Sequence, residues 1–341
     1  KVFKKTVSIV NEKSTDMYES LVGDKKGFLL ESYDKNYDRY TFFGMEPEEI
    51  VTSRGNALVI TKADGTEEVR EGNPLERLKE YYSEFHIEKE DEELSFSGGL
   101  VGNLGYDFVR YSEVLPDNNP DEIGIETIQM MLMTSFLMVD HVAETLTAVV
   151  LEEPSEEGRE QAMEKAGQMI KKAMEKKECK RNFYHDGKII KKSDSIEEYG
   201  EKVEKIKHYI REGHVFQTVL SQRWTIETRQ TGFELYKELR ELNPSPYLYY
   251  FNYGTFEVIG SSPEMIVKKQ GNKVFTCPIA GTRKRGKDEA EDKRLRDELL
   301  SDEKERAEHV MLVDLARNDM GRISEFGTVK VTQFMEVQNY S

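Results

Sequence analysis

Cysteine is scarce in this sequence, and its two copies lie far apart. Cys179 and Cys277 are the only cysteines in 341 residues, and neither belongs to a C-x-x-C pair. Neither a disulfide framework nor a zinc site is therefore supported, because both need several cysteines at suitable spacing. Isolated thiols are typical of a reducing compartment, so we expect a cytoplasmic protein.

Long apolar runs and excess positive charge are also lacking. No apolar run approaches the roughly 18 residues that a membrane-spanning helix needs, and the first residues, KVFKKTVSIV, lack the apolar core of a signal peptide. Lys and Arg number 49 against 65 Asp and Glu, which gives a formal charge of −16. Such a charge opposes binding to phosphate backbones and anionic lipid, so we expect neither nucleic acid nor membrane as a partner.

Two common families of motif are missing. The sequence contains no G-x-S-x-G and no Walker A loop, and the glycines of GLVGNLGYD at 99–107 do not have G-x-G-x-x-G spacing. These motifs mark serine hydrolases and nucleotide-binding sites. The sequence therefore gives no support to either function.

What the chain does contain predicts two α+β domains. Residues 1–150 alternate short β-type runs with turn clusters, which is typical of a domain built on antiparallel strands. Residues 153–182 are rich in Glu, Lys, Ala and Met, and their apolar members recur at helical spacing: Ala162, Ala166, Met169, Ile170 and Ala173. We therefore predict an N-terminal domain at 1–185 that includes this connector helix, and a second domain at 186–341.

The second domain begins with a helix and continues mainly with strands. Ser195 and Glu198 form a capping box ahead of an apolar stripe that ends at Gly213. HVFQTVLSQRWTI, which contains Gln217, has strand character, and residues 247–269 predict a hairpin with its turn near 252–254. The loop CPIAGTRKRG at 277–286 follows another strand, and a charged helix ends in ERAEHVMLVDLARNDMGR.

A pair of glutamates on that last helix is a candidate metal site. Glu305 and Glu308 are three residues apart and share a face, and the turns after them are apolar nearly all round, so we expect the helix to be buried. A carboxylate on a buried helix needs a cation, and oxygen ligands suit Mg²⁺. Alternatively, Asp302 and Glu305 form a capping pair and Glu308 is solvated, which the spacing alone favours.

The loop and a nearby bend are candidate substrate contacts. Glu264 follows a proline between two predicted strands, where its carboxyl could face a cavity and act as a general acid. Gly281 and Thr282 could present N–H groups and a hydroxyl to a carboxylate. Alternatively, Glu264 is a turn residue and the glycine-bearing loop is a tight turn between elements. For the histidines His208, His214 and His309 we expect structural roles.

Taken together, three motifs resemble the chorismate-utilising enzymes, and most closely the anthranilate synthase large subunits. They are SSPEMIV, PIAGTRKRG and EKERAEHVMLVDLARNDMGR, and GFLLES, DRYTFFG and GGLVGNLGYD extend the resemblance over nearly the whole chain. The resemblance implies an α+β fold of antiparallel sheets packed as a sandwich with helices outside. It also implies that the family's chain continues past Ser341, so we expect a catalytic domain that is incomplete at its C-terminus.

The resemblance also assigns roles. It implies that Glu308 is a direct Mg²⁺ ligand, that Glu305 supports the metal or its water, and that Glu264 assists loss of the ring hydroxyl. Gly281 and Thr282 match the loop that holds a substrate carboxylate. Chorismate is a dicarboxylate, so a divalent cation and loop donors suit its charge.

Two positions separate this chain from sister activities of the family. Ala280 stands where members that make aminodeoxychorismate have a nucleophilic lysine, and Gln217 stands where isochorismate and salicylate synthases have a lysine base. The resemblance therefore implies direct attack by ammonia and release of pyruvate to give anthranilate. The alternatives are an aminodeoxychorismate synthase that works without the lysine, and a non-catalytic tryptophan-binding fragment.

Two further segments resemble the family's site for tryptophan as feedback inhibitor. They are LLES and NPSPYLYY, and the predicted contacts are Leu30, Glu31, Ser32, Asn243, Pro244, Ser245, Pro246, Tyr247 and Leu248. Alternatively, LLES is only the end of a strand and NPSP is only a turn. Because the sequence has no glutaminase motif, ammonia from glutamine implies a separate glutamine amidotransferase subunit and a hetero-oligomer.

Overall fold

A computed structural model describes residues 1–10, 12–32, 39–88, 94, 96–175, 184 and 186–339. The chain forms two compact units. The first contains Lys1–Glu178 and Tyr236–Ser341, and the second contains Cys179–Leu235. Cys179, one of the two cysteines, lies outside the described residues.

The secondary structure alternates strands and helices in both units. In chain order, the elements up to residue 173 are β1 (Val2–Ser8), α1 (Ser14–Leu21), β2 (Gly27–Glu31), β3 (Tyr40–Met45), β4 (Glu49–Ser53), β5 (Ala57–Lys62), β6 (Glu67–Glu71), α2 (Pro74–Ser83), β7 (Gly99–Leu104), a 3₁₀ helix (Tyr106–Tyr111), β8 (Ile128–Met133), β9 (Ser135–Asp140), β10 (Thr145–Leu151) and α3 (Glu156–Ala173). The later elements are β11 (Lys188–Lys192), α4 (Ile196–Arg211), β12 (Trp224–Glu227), α5 (Gly232–Leu242), β13 (Tyr247–Asn252), β14 (Glu257–Ser262), β15 (Met265–Gln270), β16 (Lys273–Cys277), α6 (Glu289–Ser301) and α7 (Glu303–Gly321).

The first unit is built on two antiparallel sheets. The larger sheet has seven strands in the order β1-β10-β9-β3-β2-β13-β14, and the smaller has five in the order β6-β5-β4-β8-β7. Apolar residues of both sheets meet in one buried cluster, which includes Phe28 and Phe136 from the larger sheet and Val101 and Met131 from the smaller. The sheets therefore pack as a sandwich, which confirms the predicted fold class.

Helices cover the outer side of the larger sheet. Successive strand residues point to opposite faces, so Phe43 lies on the face that meets α1, where its ring contacts Tyr18 edge-on at 6.3 Å between centroids. α3 packs against β1 and β10 and against α1. The alanines, Met169 and Ile170 of its predicted stripe are all buried. The connector helix and its apolar face are thus confirmed.

The predicted domain boundary needs correction. β13, from the supposed second domain, pairs with β2 of the first, with Leu248 opposite Glu31 and Phe251 opposite Phe28. β14 extends the same sheet, and β13 and β14 form the hairpin that the sequence predicts. The second unit therefore begins close to the predicted boundary but does not extend to residue 341, since the chain returns to the first unit at Tyr236. The sequence could not show this return, because main-chain pairing between distant segments leaves no local signal.

The second unit contains a small antiparallel pair and a helix. β11 pairs with β12, with Ile189 opposite Ile226. α4 begins with the predicted capping box, in which Ser195 and Glu198 bond to each other's backbone N–H. Gln217 was expected within a strand, but it lies in an irregular segment and is exposed. Strand pairing is confined to Trp224–Glu227, the part of that segment that finds a partner in β11.

The charged helix near the end of the described chain is two helices. Asp302 ends α6 and caps α7, since its carboxylate accepts hydrogen bonds from the N–H groups of Lys304 and Glu305. The expectation of a buried helix is wrong for α7: throughout Glu303–Gly321 every side chain is at least partly exposed, and Leu315 is 57% exposed. Apolar composition favours burial only where another element packs against it. None of the helices in the described part of the chain is long and apolar enough to cross a bilayer.

Candidate active site

A cavity of about 1520 Å³ lies in the first unit. Its wall includes parts of β2, β7 and β13, the β15–β16 hairpin, the loop at 278–286, and faces of α6 and α7. Most of the lining side chains are apolar, and many of the polar groups come from the loop, the two helices and the segment at 329–339. Ligand sites commonly combine these features, so this cavity is the candidate site.

Glu264 lies beside the loop that was predicted to hold substrate. Pro263 and Glu264 connect β14 to β15, and Glu264 Oε1 accepts a hydrogen bond from the backbone N–H of Ile279 at 3.4 Å. The carboxyl is exposed. The bend predicted from the sequence is therefore present, but Glu264 itself is not among the residues that line the cavity; it bonds to Ile279, which lines the cavity together with Ala280.

Gly281 brings the loop into contact with α7. A Cβ at this position would overlap the carboxylate of Glu305 and come within 3.0 Å of Leu299. Only glycine fits without displacing that carboxylate. The loop and one of the two candidate metal-binding glutamates, which the sequence separates by a whole helix, therefore lie side by side.

Arg283 ties the loop to both helices, and the sequence analysis missed it. Its guanidinium donates to the carbonyl of Thr282 at 3.0 Å, to Glu298 at 3.1 Å and to Asp302 at 2.9 Å, and it lies 3.6 Å from Glu305. The pKa of Asp302 is lowered by the N–H groups of Glu305 and Lys304 and by Arg283. The run TRKR at 282–285 indicates a basic loop, but the sequence does not show which side chains Arg283 pairs with.

The two glutamates of α7 are placed differently. Glu305 lines the cavity, whereas Glu308 is half-buried and is not among the lining residues. Asp302 does cap the helix, as the alternative from the sequence proposed, but its carboxylate bonds to the backbone N–H of Glu305 and not to the Glu305 side chain. Among the described residues, no three acidic, cysteine or histidine side chains form a metal-binding group.

His309, one of the three histidines named from the sequence, makes a structural contact. His309 Nε2 accepts a hydrogen bond from the N–H of Met335 at 3.3 Å, and its ring lies 5.6 Å from that of Phe334. It therefore holds the segment after α7 against the helix. Cys277, at the end of β16, also lines the cavity and has a free thiol.

The two segments of the predicted tryptophan site do come together. β2 and β13 pair so that Leu30 is opposite Tyr249 and Glu31 is opposite Leu248. Six of the predicted contacts line the cavity: Leu30, Glu31, Ser32, Pro246, Tyr247 and Leu248. Asn243, Pro244 and Ser245 do not; Ser261 donates its hydroxyl to the carbonyl of Asn243 at 2.7 Å and contacts the hydroxyl of Ser245 at 2.8 Å.

Glu31 is engaged by its own protein. Its buried carboxylate accepts hydrogen bonds from the hydroxyl of Ser14, from Tyr236 at 2.6 Å and from Arg240 at 3.0 Å. Burial and the charge of Glu31 raise the pKa of Tyr236. The carboxylate therefore fixes α1 and α5 at this wall of the cavity. Sequence reasoning missed Tyr236 and Arg240, because nothing local connects them to residue 31.

Gln217 belongs to the second unit, unlike all the other predicted site residues. It is exposed between α4 and β12. The predicted role of Gln217 therefore stays a prediction.

Residues 27–341 match the chorismate binding enzyme family. The chain therefore belongs to this family of chorismate-binding proteins. Anthranilate synthase component 1 from Acetivibrio thermocellus is 40% identical over 327 residues, which cover 92% of this chain and 66% of that protein. Anthranilate synthase component 1 from Aquifex aeolicus is also 40% identical, over 92% of this chain and 65% of its own length.

Solved structures agree with this assignment. The crystal structure of anthranilate synthase component I from Streptococcus pneumoniae TIGR4 is similar with a TM-score of 0.77 and 33% identity, over 89% of this chain and 66% of that one. The menaquinone-specific isochorismate synthase of Escherichia coli, at 11% identity and a TM-score of 0.54, shares the fold. The chain spans about two thirds of the length of the relatives that it matches.

Proposed function

We propose that this chain acts as the large subunit of an anthranilate synthase, in tryptophan biosynthesis. The reaction converts chorismate and ammonia to anthranilate and pyruvate, which makes the enzyme a carbon–oxygen lyase. The observation that carries the proposal is a cavity lined by the loop at 279–282 and by Glu305, with Glu264 bonded to that loop at Ile279, in a chain 40% identical to two proteins of that name.

The residues around the cavity suit an anionic, cyclic substrate. The N–H groups of Gly281 and Thr282 would receive a substrate carboxylate, and nearby Arg283 keeps this loop fixed to the helices. Ammonia adds to the ring as the ring hydroxyl leaves, and the Glu264 carboxyl donates the proton that turns this hydroxyl into water. The bond between the ring carbon and the enolpyruvyl oxygen then breaks as a ring proton is lost, which gives the aromatic amine, and the released enolpyruvate takes up a proton to become pyruvate.

Ala280 supports direct addition of ammonia. It lines the cavity at the centre of the loop, and its methyl group has no nucleophilic atom. A covalent route through a loop lysine is therefore absent at this position. This observation favours anthranilate over aminodeoxychorismate as product, which is the second candidate.

Magnesium is the proposed metal, held through Glu305 and Glu308. Mg²⁺ usually takes one or two protein carboxylates and completes its octahedron with water and substrate oxygens, so a dense cluster of protein ligands is not required. Two carboxylates at adjacent turns of α7, one of them beside the substrate loop, fit this mode. The ion would neutralise substrate charge when bound.

A partner and an inhibitor complete the proposal. The implied partner is a glutamine amidotransferase subunit that supplies ammonia, which gives a hetero-oligomer in the cytoplasm. Tryptophan would bind at the wall formed by β2 and β13, where Ser32, Pro246 and Tyr247 line the cavity. Since Glu31 already binds Arg240, its carboxylate would act there mainly by holding this wall in place.

The product test is fluorescence of anthranilate formed from chorismate and Mg²⁺. We expect ammonium to support turnover directly and glutamine to support it only when the amidotransferase subunit is added. Glu264→Gln should reduce the ammonium-supported rate by about 100-fold, as expected for loss of a general acid. Formation of aminodeoxychorismate, or an unchanged rate in Glu264→Gln, would contradict the proposal.

The metal is tested without turnover. Glu308→Gln should weaken Mg²⁺ binding, measured by calorimetric titration, by at least about tenfold, because the amide lacks the negative charge that Mg²⁺ favours. Glu303→Gln, an exposed residue of the same helix, is the matched control and should bind like the parent. Equal affinity of the parent and Glu308→Gln would remove Glu308 from the site.

A further inference from the structure

A long excursion joins two neighbouring strands of the smaller sheet. Leu104 at the end of β7 is opposite Ile128 at the start of β8, and the N–H of Gly105 bonds to the carbonyl of Thr127 at 2.7 Å. Residues 105–127, which we call the β7–β8 loop, thus leave and rejoin the sheet at one point. Hairpin loops usually have about two to five residues, and loops beyond about 15 in compact domains are usually functional.

Several hydrogen bonds hold parts of this loop in place. Arg110 donates to the carbonyl oxygens of Leu115 at 3.3 Å and Pro116 at 2.7 Å, and to the carboxylate of Asp107 at 2.7 Å. The side chain of Asn73, at the start of α2, donates to the carbonyl of Tyr111 at 2.7 Å. Asp121 accepts from the N–H groups of two residues that follow it, at 3.0 and 2.9 Å.

The loop has an inward and an outward side. Phe108 and Tyr111 pack against the buried cluster beneath the smaller sheet, so two aromatic rings anchor the loop. Tyr106, in the same 3₁₀ helix, is 96% exposed, and Val114 is 102% exposed. An aromatic and an aliphatic side chain that point outward from a fixed backbone are typical of a protein-binding surface.

The outward side is also acidic. The loop contains six carboxylates and a single basic residue, Arg110, which is used internally; the carboxylates are Asp107, Glu113, Asp117, Asp121, Glu122 and Glu126. Charges of one sign around exposed apolar side chains favour a partner with a basic rim around an apolar contact. A second copy of this chain is disfavoured as the partner, because its acidic loop and its net charge of −16 would repel this loop.

The loop leads directly from the candidate site. Leu100, Val101, Gly102 and Asn103 of β7 line the cavity, and the loop begins at the second residue after them. Ammonia released far away would be lost to solvent and protonated. A subunit that supplies ammonia to this cavity should therefore dock beside a cavity wall, and β7 provides a wall that continues into an exposed, fixed surface.

We propose that the β7–β8 loop is a docking surface for the glutamine amidotransferase subunit, with Tyr106 and Val114 as apolar contacts and the carboxylates as an acidic rim. This inference rests on the proposed function, which supplies the identity of the partner. The loop then places the partner next to the cavity and contributes no reacting group.

Binding to the purified amidotransferase subunit of the same organism tests the proposal. In calorimetric titrations, a Tyr106→Ser, Val114→Ser double variant should bind at least tenfold more weakly than the parent. Glu113→Lys should bind more weakly by an amount that shrinks as salt is added. Val142→Ser is the matched control, since Val142 is an apolar residue 74% exposed in the turn between β9 and β10, and its affinity should equal that of the parent.

Activity separates docking from catalysis. With the amidotransferase subunit limiting, the double variant should lose glutamine-supported anthranilate formation and keep the parent's ammonium-supported rate. The docking surface is overturned if the double variant binds the amidotransferase as tightly as the parent does. It is also overturned if the double variant loses both activities equally while its thermal midpoint is unchanged. Either result leaves the proposed function intact. A parent that does not bind the amidotransferase at all overturns the proposed partner and the docking surface together.

Discussion

Among the described residues of the first unit, two carboxylates are buried, and each has an arginine partner. Glu31 bonds to Arg240, and Asp140 bonds to Arg39 at 3.0 Å. An isolated buried carboxylate would cost several kcal/mol, so such partners are needed for these positions to be acidic at all. At the residue scale, Glu31 at the wall of the candidate site is therefore held by Arg240, which does not itself line the cavity.

The charge of Asp140 makes part of the stability depend on pH. Burial opposes its ionisation, but hydrogen bonds from the N–H groups of Ala143 and Val142 and from Arg39 outweigh burial and lower its pKa. A lowered pKa gives stability that is fully present above the unfolded value of about 3.9 and is lost as pH falls through the folded value.

Asp140→Asn should therefore be less stable than the parent at pH 6, and the difference should shrink as pH falls from about 4 to 3. Urea unfolding of both proteins at several pH values measures this difference in the free energy of unfolding. Asp24→Asn, at an exposed position, is the control and should track the parent throughout. A gap between Asp140→Asn and the parent that stays constant with pH would argue against this assignment.

The proposed tryptophan site gives a second prediction at this scale. Ser32→Phe places a bulky ring at a cavity-lining position, and overpacking of about 1–3 kcal/mol corresponds to roughly 5- to 150-fold weaker binding of tryptophan. Since tighter binding at a fixed ligand concentration gives a larger rise in the thermal midpoint, differential scanning fluorimetry with and without tryptophan reports the change. Ser83→Phe, on the exposed end of α2, should leave the tryptophan-induced shift unchanged.

At the scale of elements, the close approach of β7 and β8 depends on a glycine. A Cβ at Gly102 would overlap the carbonyl of Gln129 and the Cα of Met130. The two strands could not keep their present pairing, in which Gly102 is opposite Met130. This pairing shapes both the cavity wall and the base of the β7–β8 loop.

Gly102→Ala should lower the free energy of unfolding by about 2 kcal/mol, as expected for a backbone clash in a sheet. Gly200→Ala is the opposite case: this glycine lies inside α4, with no neighbouring atom near an added Cβ. It should raise stability by up to about 1 kcal/mol through helix propensity. Urea denaturation compares both, and equal effects would show that backbone approach is not what selects glycine at position 102.

For the whole molecule, the position of β13 decides what can fold alone. A chain ending at residue 185, the boundary suggested by the sequence, would leave the β2 edge without its partner strand, with Phe28 and Leu29 fully buried in the intact unit. An unpaired apolar edge promotes association.

We therefore expect residues 1–185 to aggregate or to unfold without a cooperative transition, and residues 1–270, which retain β13 and β14, to unfold cooperatively. Size-exclusion chromatography and thermal melts of the two fragments provide the comparison. A monomeric 1–185 fragment with the melting midpoint of the parent would restore the original boundary.

The sequence by itself determined the local features of this protein. The apolar stripe of α3, the capping box of α4, the β13–β14 hairpin and the bend at Glu264 all follow from periodicity, capping and turn chemistry within a few residues. Several long motifs in the right order were specific enough to indicate the chorismate-binding family, which the match over residues 27–341 confirms.

Only the tertiary structure decided which distant residues meet. The pairing of β2 with β13, the contact of Gly281 with Glu305, and the bonds from Arg240 and Tyr236 to Glu31 join segments far apart in the chain. The exposure of α7 and the irregular backbone at Gln217 likewise depended on which neighbours were present to pack or pair. Short-range propensity fixes an element, whereas burial and long-range hydrogen bonds, which no local pattern encodes, fix its place and hence the site.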